Sequence, residues 1–281
     1  MRIGRYDVHS IDTGRFALDG GAMFGVVPRP LWQKTNPPDE KNRICMAARA
    51  LLILGENRRI LVDTGNGVKY SEKQTAIYRF EAPPGAAEAA LARHGLSPAD
   101  ITDVILTHLH FDHAGGSTVP SPSGIVPAFP NARYVVQRDH WNAALHPSER
   151  DRASFFPDDY MPLRREGLLE LIDGEGELFP GIVVRLFHGH TTALQAPLIS
   201  GGGSTLLFCA DLIPMVPHVQ LPWIMGYDLR PLVTLEEKRA VLTAAADEGW
   251  ILALEHDPQA EAVTVVRGER GFGVDRTLSL D

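Results

Sequence analysis

The sequence predicts a mixed α/β protein, and two observations support this fold class. Short apolar runs typical of buried strands recur along the 281 residues, and three segments between them are expected to be helices. Several of the apolar runs also lead into a histidine or an aspartate, a polar residue that is costly to bury without a partner. We therefore expect a sheet whose edge carries a functional site.

The first hundred residues predict a strand, a loop-rich segment, a hairpin and a helix in that order. Residues 1–19 have the short alternating pattern of a strand, and residues 49–63 predict a β-hairpin. Between them, residues 20–32 are apolar but contain three glycines and two prolines, which disfavour both a helix and a central strand. The alanine-rich residues 85–94 predict a helix that Gly95 ends.

The remainder of the chain predicts further strands and two helices. A short helix is expected at 139–145, and a capping box at 234–237 predicts a helix that reaches about residue 248. Residues 148–180 are expected to form short helices and loops. His140 and His146, which precede this segment, are expected to lie on the surface. Strands are expected at 104–106, 133–137, 182–187, 196–199, 205–210 and 250–254, with one or two edge strands within 260–281.

Composition and charge argue against several classes of protein. The net charge of −8 disfavours a nucleic-acid surface, which is usually basic. Cys45 and Cys209 are the only cysteines, so no disulfide framework is expected. The sequence shows neither a signal peptide nor a run of about 18 apolar residues. We expect a soluble cytoplasmic protein without nucleic-acid or membrane partners, folded as one domain over 1–281 with a loop-rich N-terminal extension at about 15–45.

Residues 107–116 (Thr-His-Leu-His-Phe-Asp-His-Ala-Gly-Gly) contain three imidazoles and a carboxylate in six consecutive positions. They follow an apolar run, and on a strand His108 and His110 would point to the same face. Asp112 and His113 would then lie just past the strand end, where the two closing glycines allow a sharp turn. Imidazole and carboxylate ligands suit zinc, iron or manganese, so this motif predicts a metal site.

Three more apolar runs lead to ligand-type residues, at His190, Asp211 and His256. With the motif, they would place seven candidate ligands along one sheet edge. Seven ligands suffice for two metal ions, each with its own imidazoles and with one carboxylate shared. Two ions about 3.5–4 Å apart can clamp a hydroxide and polarise the bond that it attacks.

The motif resembles the His-x-His-x-Asp-His signature of the metallo-β-lactamase superfamily. The later segments 189–191, 210–211 and 255–257 fall in that family's order, as does 61–65, and the resemblance covers roughly 45–260. The chain is most similar to lactonase-like hydrolases, such as N-acyl-homoserine lactonases and the related organophosphate hydrolases. This resemblance implies a four-layer αββα sandwich with a dinuclear site at the edge where its sheets meet.

The resemblance also implies a role for each candidate ligand. A metal-bridging hydroxide would be the nucleophile, and Asp112 would take part in proton transfer to the leaving group. The two divalent ions are expected to be Zn²⁺, with Mn, Fe or Co as alternatives. One ion would be held by His108, His110 and His190, the other by Asp112, His113 and His256, and both by Asp211.

Two positions depart from the family pattern and bear on the substrate. These lactonases often have a tyrosine three residues after the bridging aspartate, where this chain has Pro214. Tyr227 is the candidate for the missing catalytic hydroxyl, against the alternative of an ordinary rim tyrosine, and His218 is a second candidate. In the family, Pro-Gly-His often follows the Gly-His-Thr segment and adds a histidine that is not a ligand. This chain continues from Thr192 as Thr-Ala-Leu and lacks that histidine.

Three neighbours of the candidate ligands have alternative interpretations. Asp63, at the end of the predicted hairpin, is either a turn-capping carboxylate or an acceptor for a metal-binding histidine. Cys209 is interpreted as a small buried side chain rather than a ligand. His188 is expected to have a structural role or to contact a ligand.

The predicted activity is dinuclear metal-dependent hydrolysis of a small-molecule ester or lactone. Thioester hydrolysis of the glyoxalase II kind and phosphoester hydrolysis are the enzymatic alternatives. A binding-only relative of the fold is the non-enzymatic alternative, which the full ligand set disfavours. The apolar segment 20–38 predicts a homodimer with this segment at the interface, or a cover over the pocket.

Overall fold

The computed structural model describes residues 1–83, 85–269 and 271–281. Within these ranges the chain forms two large sheets and one small hairpin. The strands are β1 (Arg2–Ile3), β2 (Tyr6–Asp19), β3 (Arg43–Gly55), β4 (Arg58–Val62), β5 (Asp103–Ile105), β6 (Thr118–Ser121), β7 (Gly124–Pro127), β8 (Arg133–Gln137), β9 (Leu169–Ile172), β10 (Gly176–Phe179), β11 (Ile182–Phe187), β12 (Leu194–Gly201), β13 (Ser204–Phe208), β14 (Ile251–Ala253), β15 (Ala262–Gly268) and β16 (Gly271–Leu278).

The α-helices in the same ranges are short, except for the last one. They are α1 (Gly20–Phe24), α2 (Arg29–Trp32), α3 (Glu72–Tyr78), α4 (Ala86–Ala92), α5 (Phe111–Ala114), α6 (Arg138–Leu145), α7 (Met161–Arg165) and α8 (Pro231–Glu248). Among the residues that the structure describes, no helix combines the length and the apolar character that a membrane span requires.

The candidate ligands follow strands from both sheets, not from a single sheet edge as predicted. The strand orders are β1-β2-β3-β4-β5-β8-β9 and β10-β11-β12-β13-β14-β15-β16. In the first sheet β4, β5, β8 and β9 are parallel. In the second, β13 and β14 are parallel, and β11 shares their direction because antiparallel β12 separates it from β13. The loops after β11, β13 and β14 therefore leave the second sheet at one edge.

Apolar side chains of both sheets form a common core between them. Val8, Leu51 and Val62 of the first sheet belong to the same buried cluster as Leu194 and Leu252 of the second. Burying a side chain of this kind contributes about 1.5–3 kcal/mol. This packing fixes the sheets relative to each other, and with them the loops at their shared edge.

Helices cover the outer face of each sheet. Leu91 of α4 and Trp141 of α6 are buried in one cluster with Val104 of β5 on the outer side of the first sheet. Leu242 of α8 is buried against the second sheet, where α8 contacts β15. The order helix, sheet, sheet, helix confirms the predicted αββα fold. The predicted hairpin at 49–63 and most of the other predicted strands are also confirmed.

The segment between β2 and β3 contains two short helices, where a loop was expected. The Asp19 carboxylate accepts a hydrogen bond from the N–H of Ala22 at 2.8 Å and caps α1. Pro30 lies in the first turn of α2, where its missing N–H is not needed. Trp32 is 1% exposed, so tertiary packing stabilises a conformation that the composition disfavours. The flanking strands also extend into both ends of the predicted 15–45 extension.

The start of α8 differs from the prediction. The helix begins at Pro231 rather than at the 234–237 capping box, because a proline is favourable in a first helical turn. Glu237 has another role: its carboxylate accepts hydrogen bonds from the N–H groups of His188 at 2.7 Å and Gly189 at 3.0 Å. The helix therefore holds the loop that follows β11.

Two strands lie in the 148–180 segment, where short helices and loops were expected. β9 pairs in parallel with β8, and β10 pairs with β11. Both strands are only partly buried, so their apolar pattern is weak. Pairing with an existing sheet edge decides their conformation, which local sequence alone does not.

A buried arginine connects the first sheet to the loop after β14. Arg49 is 5% exposed, and its Nη1 donates hydrogen bonds to the carbonyls of Leu254 at 2.7 Å and Asp257 at 3.1 Å. These two residues flank His256, whose own carbonyl accepts a hydrogen bond from the N–H of Ala47 at 3.0 Å. Strand β3 therefore positions a candidate ligand that follows the other sheet.

Arg49→Met should lower the free energy of unfolding by about 1–3 kcal/mol, since buried carbonyls lose their donor. Urea unfolding followed by circular dichroism measures this change. Arg2→Met is the matched control, because Arg2 is exposed and pairs with Asp7 at the surface. The control should change stability by less than about 1 kcal/mol. Equal losses in both variants would contradict the connecting role of Arg49.

Candidate metal centre

Seven side chains converge where the two sheets meet, and they are the seven predicted as metal ligands. All of them are at most 8% exposed. They form two groups in which one nitrogen or oxygen of each residue lies within 4.8 Å of the others. The groups are His108, His110, His190 and Asp211, and Asp112, His113 and His256.

The loop after β5 brings the motif's ligands together. The strand ends before the first histidine, so these histidines do not lie on it as predicted. The Asp63 carboxylate accepts a hydrogen bond from the N–H of Thr107 at 2.7 Å, which holds the chain in a turn. An extended His110 then leads into α5, which carries Asp112 and His113. The ligands therefore meet through a loop and one helical turn rather than through strand alternation.

The two glycines after this turn are needed for close packing, not for an unusual backbone conformation. Gly115 has a φ of −58°, which any residue can adopt. A Cβ on Gly116 would lie only 3.1 Å from the carbonyl carbon of Thr64. The N–H and hydroxyl of Thr64 in turn donate to the carbonyl of His113 at 2.8 and 2.9 Å. The segment after β4 therefore packs directly on the metal-binding loop.

In the first group, imidazole nitrogens face one another at close range. Nδ1 of His110 lies 3.0 Å from Nε2 of His108 and 3.2 Å from Nε2 of His190. Oδ2 of Asp211 lies 3.0 Å from Nε2 of His190 and 3.9 Å from Nε2 of His108. Three ring nitrogens and one oxygen directed at one point form a donor set that suits zinc and similar cations.

The second group has the same character. Nε2 of His256 lies 3.2 Å from Nε2 of His113 and 3.1 Å from Oδ1 of Asp211. Oδ1 of Asp211 also lies 3.6 Å from Nε2 of His113. Oδ2 of Asp112 completes the group at 3.8 Å from Nε2 of His256.

Asp211 presents one carboxylate oxygen to each group. Oδ2 faces the first group and Oδ1 faces the second. Oδ1 is buried and accepts no hydrogen bond in the described chain. Buried polar atoms without partners are costly, and a cation bound beside them removes that cost. The residues present therefore fit a pair of divalent metal ions.

Outward hydrogen bonds orient the rings of this centre. Nδ1 of His190 lies 2.9 Å from Oδ1 of Asp228, and Nδ1 of His256 lies 2.9 Å from the carbonyl oxygen of Ala47. An N–H donated outward leaves the lone pair of Nε2 directed at the centre. Asp228 is 1% exposed and was not predicted, because its distance from the motifs in sequence gave no signal.

Two buried acids lie behind His113. Its Nδ1 is 3.0 Å from both Oδ2 of Asp63 and Oε2 of Glu255. Asp63 also accepts a hydrogen bond from the hydroxyl of Thr107 at 2.6 Å, and that hydroxyl lies 3.0 Å from Nδ1 of His108. Of its two predicted roles, Asp63 therefore has the geometry of an acceptor for candidate ligands, and it reaches both groups. Glu255 was missed by the sequence reasoning, although it directly precedes His256.

His140 is buried, so its predicted surface position is wrong. Its Nε2 accepts a hydrogen bond from the N–H of Leu109 at 2.8 Å, and its Nδ1–H donates to the carbonyl of Thr192 at 2.8 Å. It thus fixes the backbone between the motif's first two histidines and joins it to the loop after His190. Burial lowers the pKa of His140 to about 4, in keeping with a neutral ring. His146 is exposed, as predicted.

The pKa values of this cluster are strongly shifted in both directions. Burial and repulsion from neighbouring rings lower the pKa of His108 and His110 well below their usual range. Burial alone would lower the pKa of His190, but Asp211 and Asp228 raise it to about 10. Such shifts within one cleft are typical of functional sites.

Tyr227 lines the same cavity as five of the candidate ligands. The cavity has a volume of about 390 Å³, and Tyr78 lies on its wall as well. Tyr227 is 36% exposed at the mouth, yet desolvation of its hydroxyl raises the pKa, so the hydroxyl stays protonated and can donate a hydrogen bond. Tyr78 was missed because it stands in an exposed helix without a motif.

The other sequence candidates lie outside the residues that line this cavity. His218 is buried and stacks on Phe24 at 5.1 Å, and its Nε2–H donates to the carbonyl of Met23 at 2.9 Å. It therefore has a packing role. Cys209 is fully buried in the core, as expected. His188 is exposed, and its Nδ1 accepts a hydrogen bond from a loop N–H, in keeping with the structural role.

Comparison with known proteins identifies a family model that matches this chain. The model, described as the metallo-beta-lactamase superfamily, matches residues 45–256. Among curated proteins, N-acyl homoserine lactonase AiiA of Bacillus thuringiensis subsp. kurstaki is 34% identical over 120 residues. This match covers 42% of the chain and 41% of that protein, so the chain spans about two fifths of the length of the curated lactonases it matches.

Solved structures share the fold over nearly the whole chain. A probable metal-dependent hydrolase from Staphylococcus aureus has a TM-score of 0.88 and 31% sequence identity, and covers 99% of this chain and 100% of its own. AidC, a dizinc quorum-quenching lactonase in complex with a product, has a TM-score of 0.80 and covers 100% of this chain and 97% of its own. At 23% identity, AidC supports the fold alone.

Asp228→Asn should weaken zinc binding about 10- to 100-fold, since an amide stabilises the outward N–H of His190 less well than a carboxylate. Competition with a chromophoric chelator measures the affinity. Asp173→Asn is the control, because its side chain is 69% exposed. Equal zinc affinity in both variants would contradict this role of Asp228.

Zinc added to metal-stripped protein at about pH 8 should release protons. The pKa of His190 is about 10 without metal, so the ring is protonated at that pH and has to lose a proton to bind a cation. A pH indicator in weakly buffered solution measures the number of protons released per zinc ion bound. The yield should fall as the starting pH approaches that pKa, because the ring is then already partly neutral. No release at about pH 8 would argue against His190 as a ligand.

Proposed function

Because the chain belongs to the metallo-beta-lactamase superfamily, we propose that it is a hydrolase that uses two divalent metal ions to open a small-molecule ester or lactone. The carboxylate of Asp211 carries the proposal, since its two oxygens face two separate groups of ring nitrogens at 3.0 and 3.1 Å. A single ion in the first group would leave Oδ1, which accepts no hydrogen bond, beside the ring nitrogens of the second group without a cation.

Each ion has its own set of ligands in this proposal. Imidazole-rich sets with one or two carboxylates favour Zn²⁺, with Mn, Fe and Co as alternatives. The ligands are His108, His110 and His190 for one ion, Asp112, His113 and His256 for the other, and Asp211 for both.

When bound, the two ions supply a water molecule with a pKa near neutrality and polarise a substrate carbonyl. Asp112 lies on the cavity wall beside His256. Burial raises the pKa of Asp112, so it takes up a proton more readily than an exposed aspartate does. We assign Asp112 a proton transfer: its carboxylate would take up the proton that the attacking water loses and pass it to the alkoxide that leaves when the ester bond breaks.

Tyr227 is the proposed donor to the developing oxyanion. Its hydroxyl stays protonated at neutral pH, and its side chain lines the cavity that contains Asp112. A hydrogen bond that is formed only as charge develops on the carbonyl oxygen lowers the barrier rather than strengthening ground-state binding.

The cavity wall favours a neutral, partly apolar substrate. Arg150 is the one lysine or arginine among the described lining residues, and its Nη2 already donates to the carbonyls of Gly226 and Asp228. A phosphate monoester would therefore find a single cationic side chain in this wall, and part of that guanidinium is already engaged. Apolar side chains line much of the wall, at Leu18, Met23, Met46, Phe111 and Met225, and Asp151 adds a carboxylate that would repel an anionic substrate. An acyl chain or a lactone ring suits such a wall.

A larger groove lies elsewhere on the molecule. It has a volume of about 1220 Å³ and runs between residues 216–222 and the β15–β16 hairpin. None of the seven candidate ligands lines it. We therefore place the substrate in the smaller cavity, where the reactive groups are.

We also propose that the protein is a homodimer, with the 20–38 segment at the interface. Val26 is 93% exposed and Leu31 is 49% exposed, whereas Met23, Phe24 and Trp32 anchor the same segment in the core. Exposed apolar residues on an ordered segment are typical of contact surfaces. Met23 of the same segment lines the cavity, so this segment also covers part of the site. Sedimentation velocity distinguishes a dimer from a monomer.

Metal-stripped protein reconstituted with zinc, cobalt or manganese should hydrolyse N-acyl homoserine lactones, simple lactones or aryl esters. Asp211→Asn should lower kcat/KM by more than about 100-fold. This loss is larger than the one expected when a residue that only hydrogen-bonds to a ligand is replaced. Tyr227→Phe should lower kcat by about 10²-fold, the effect of removing one oxyanion donor. A pH-stat assay follows all three substrate classes.

His146→Gln is the control for this assay, since His146 is exposed and lines no part of the cavity. A thioester and a phosphotriester belong in the same panel. Turnover of these two alone would favour the alternative hydrolase activities. A metal-loaded protein that hydrolyses none of the lactones or esters would overturn the proposed function.

A further inference from the structure

A second cluster of metal-ligand side chains lies apart from the centre at Asp211. It consists of His9, His94 and Asp281, whose ligand atoms all lie within 4.8 Å of one another. The three residues come from β2, from the end of α4 and from the segment that follows β16. None of them lines the substrate cavity, and the ester hydrolysis proposed above does not use them.

The geometry of the cluster suits one transition-metal ion. The rings of His9 and His94 lie 4.4 Å apart between centroids with an interplanar angle of 45°. Nδ1 of His9 lies 3.7 Å from Oδ1 of Asp281. Zinc–nitrogen bonds are about 2.0–2.1 Å long, so ligand atoms around one ion lie about 3–4 Å apart. Small rotations of these side chains bring them to such distances.

The backbone holds each of the three residues in place. His9 lies opposite Leu52 in the β2–β3 pair, and the N–H of His94 donates to a carbonyl of α4 at 2.9 Å. Leu280 is fully buried, its N–H donates to Glu261 at 2.7 Å, and its carbonyl accepts a hydrogen bond from the Met1 nitrogen at 2.6 Å. An ion therefore meets ligands whose main chains are already ordered, which reduces the entropy cost of binding.

The His9 ring is available as a ligand at neutral pH. Burial and the neighbouring His94 lower the pKa of His9, so its ring is neutral and carries a free lone pair. The side chain of His9 is 23% exposed and that of Asp281 is 52% exposed, so an ion can reach the cluster from solvent. The carboxylate of Asp281 adds an oxygen ligand to the two imidazoles.

We propose that His9, His94 and Asp281 form a further metal site, which binds a divalent transition-metal ion such as Zn²⁺ and connects the segment after β16 to β2 and α4. Two imidazoles and one carboxylate leave a fourth position for water, as in other three-ligand zinc sites. The ion links three segments that are far apart in sequence, so it stabilises the native arrangement by binding to it and not to the unfolded chain.

Equilibrium dialysis of the metal-loaded protein against excess Zn²⁺, followed by elemental analysis, tests this site. His9→Gln and His94→Gln should each bind about one ion per chain fewer than the wild-type protein. His146→Gln is the matched control, because His146 is an exposed histidine outside both clusters, and it should keep the wild-type zinc content. Equal zinc content in all four proteins would overturn the proposal.

The difference in zinc content between a variant and the wild type does not depend on the centre at Asp211. If that centre bound no zinc, the two histidine variants would still lose one ion relative to the wild type. Unfolding curves recorded in a chelator show whether a variant is folded, and they should coincide for all four proteins. With free Zn²⁺ the wild type and His146→Gln should gain in Tm, whereas His9→Gln and His94→Gln should gain less. A gain of the same size in every protein would also count against the site.

Discussion

The burial of many ionisable side chains at one edge of the sandwich is the constraint on which the rest of the site depends. Five imidazoles and the carboxylates of Asp112 and Asp211 lie together with almost no exposure to water. Removing a charge from water costs several kcal/mol unless a partner compensates it. Nearly every ring in this cluster accordingly has an outward partner, and the inward-facing atoms have mainly one another. Cations bound at the centre, as proposed, would compensate inward-facing atoms that hydrogen bonds alone leave without partners.

The residues that set this geometry are mostly not ligands. Arg49 holds the backbone on either side of His256, and His140 holds the peptide between the motif's first two histidines. Glu237 holds the loop after β11 from the first turns of α8. Each of them connects an element of one layer to a loop of another. Hydrogen bonds between layers therefore determine where the candidate ligands lie.

The sequence was informative where chemistry and local pattern coincide. The His-x-His-x-Asp-His motif and the strands that lead to His190, Asp211 and His256 named all seven side chains that converge. It was less informative where burial depends on distant contacts. His140 lies in a polar helical segment, and only the packing of α6 against the metal loop shows that it is buried. Asp228 lies in no motif, and Glu255 stands beside His256 in the sequence but contacts His113 in space. An acid that orients a histidine needs proximity in space and not in sequence.

Contacts between residues that are distant in sequence also explain where the secondary structure differs from the prediction. The glycines and prolines of residues 20–32 argue against regular structure, yet Asp19 caps α1 and Trp32 is buried below α2. The strands at 169–172 and 176–179 have weak patterns and form because each sheet offers an edge to pair with. The local preference against helix is about 1 kcal/mol for a glycine, and the strand preferences span about 1 kcal/mol, so tertiary packing outweighs both. Pro30 avoids the larger penalty of an interior proline because it lies in the first turn of α2.

The ligands are spread over almost 150 positions, from His108 to His256, and this order has a consequence for biosynthesis. A chain that emerges from the ribosome at about 5–20 residues per second presents the first histidines many seconds before the last one. Until β14 has joined its sheet, the half of the centre around His113 has no His256, and an early ion finds only a partial, exchangeable set of donors. Maturation is therefore a late event, and the supply of metal has to match the finished fold rather than the nascent chain.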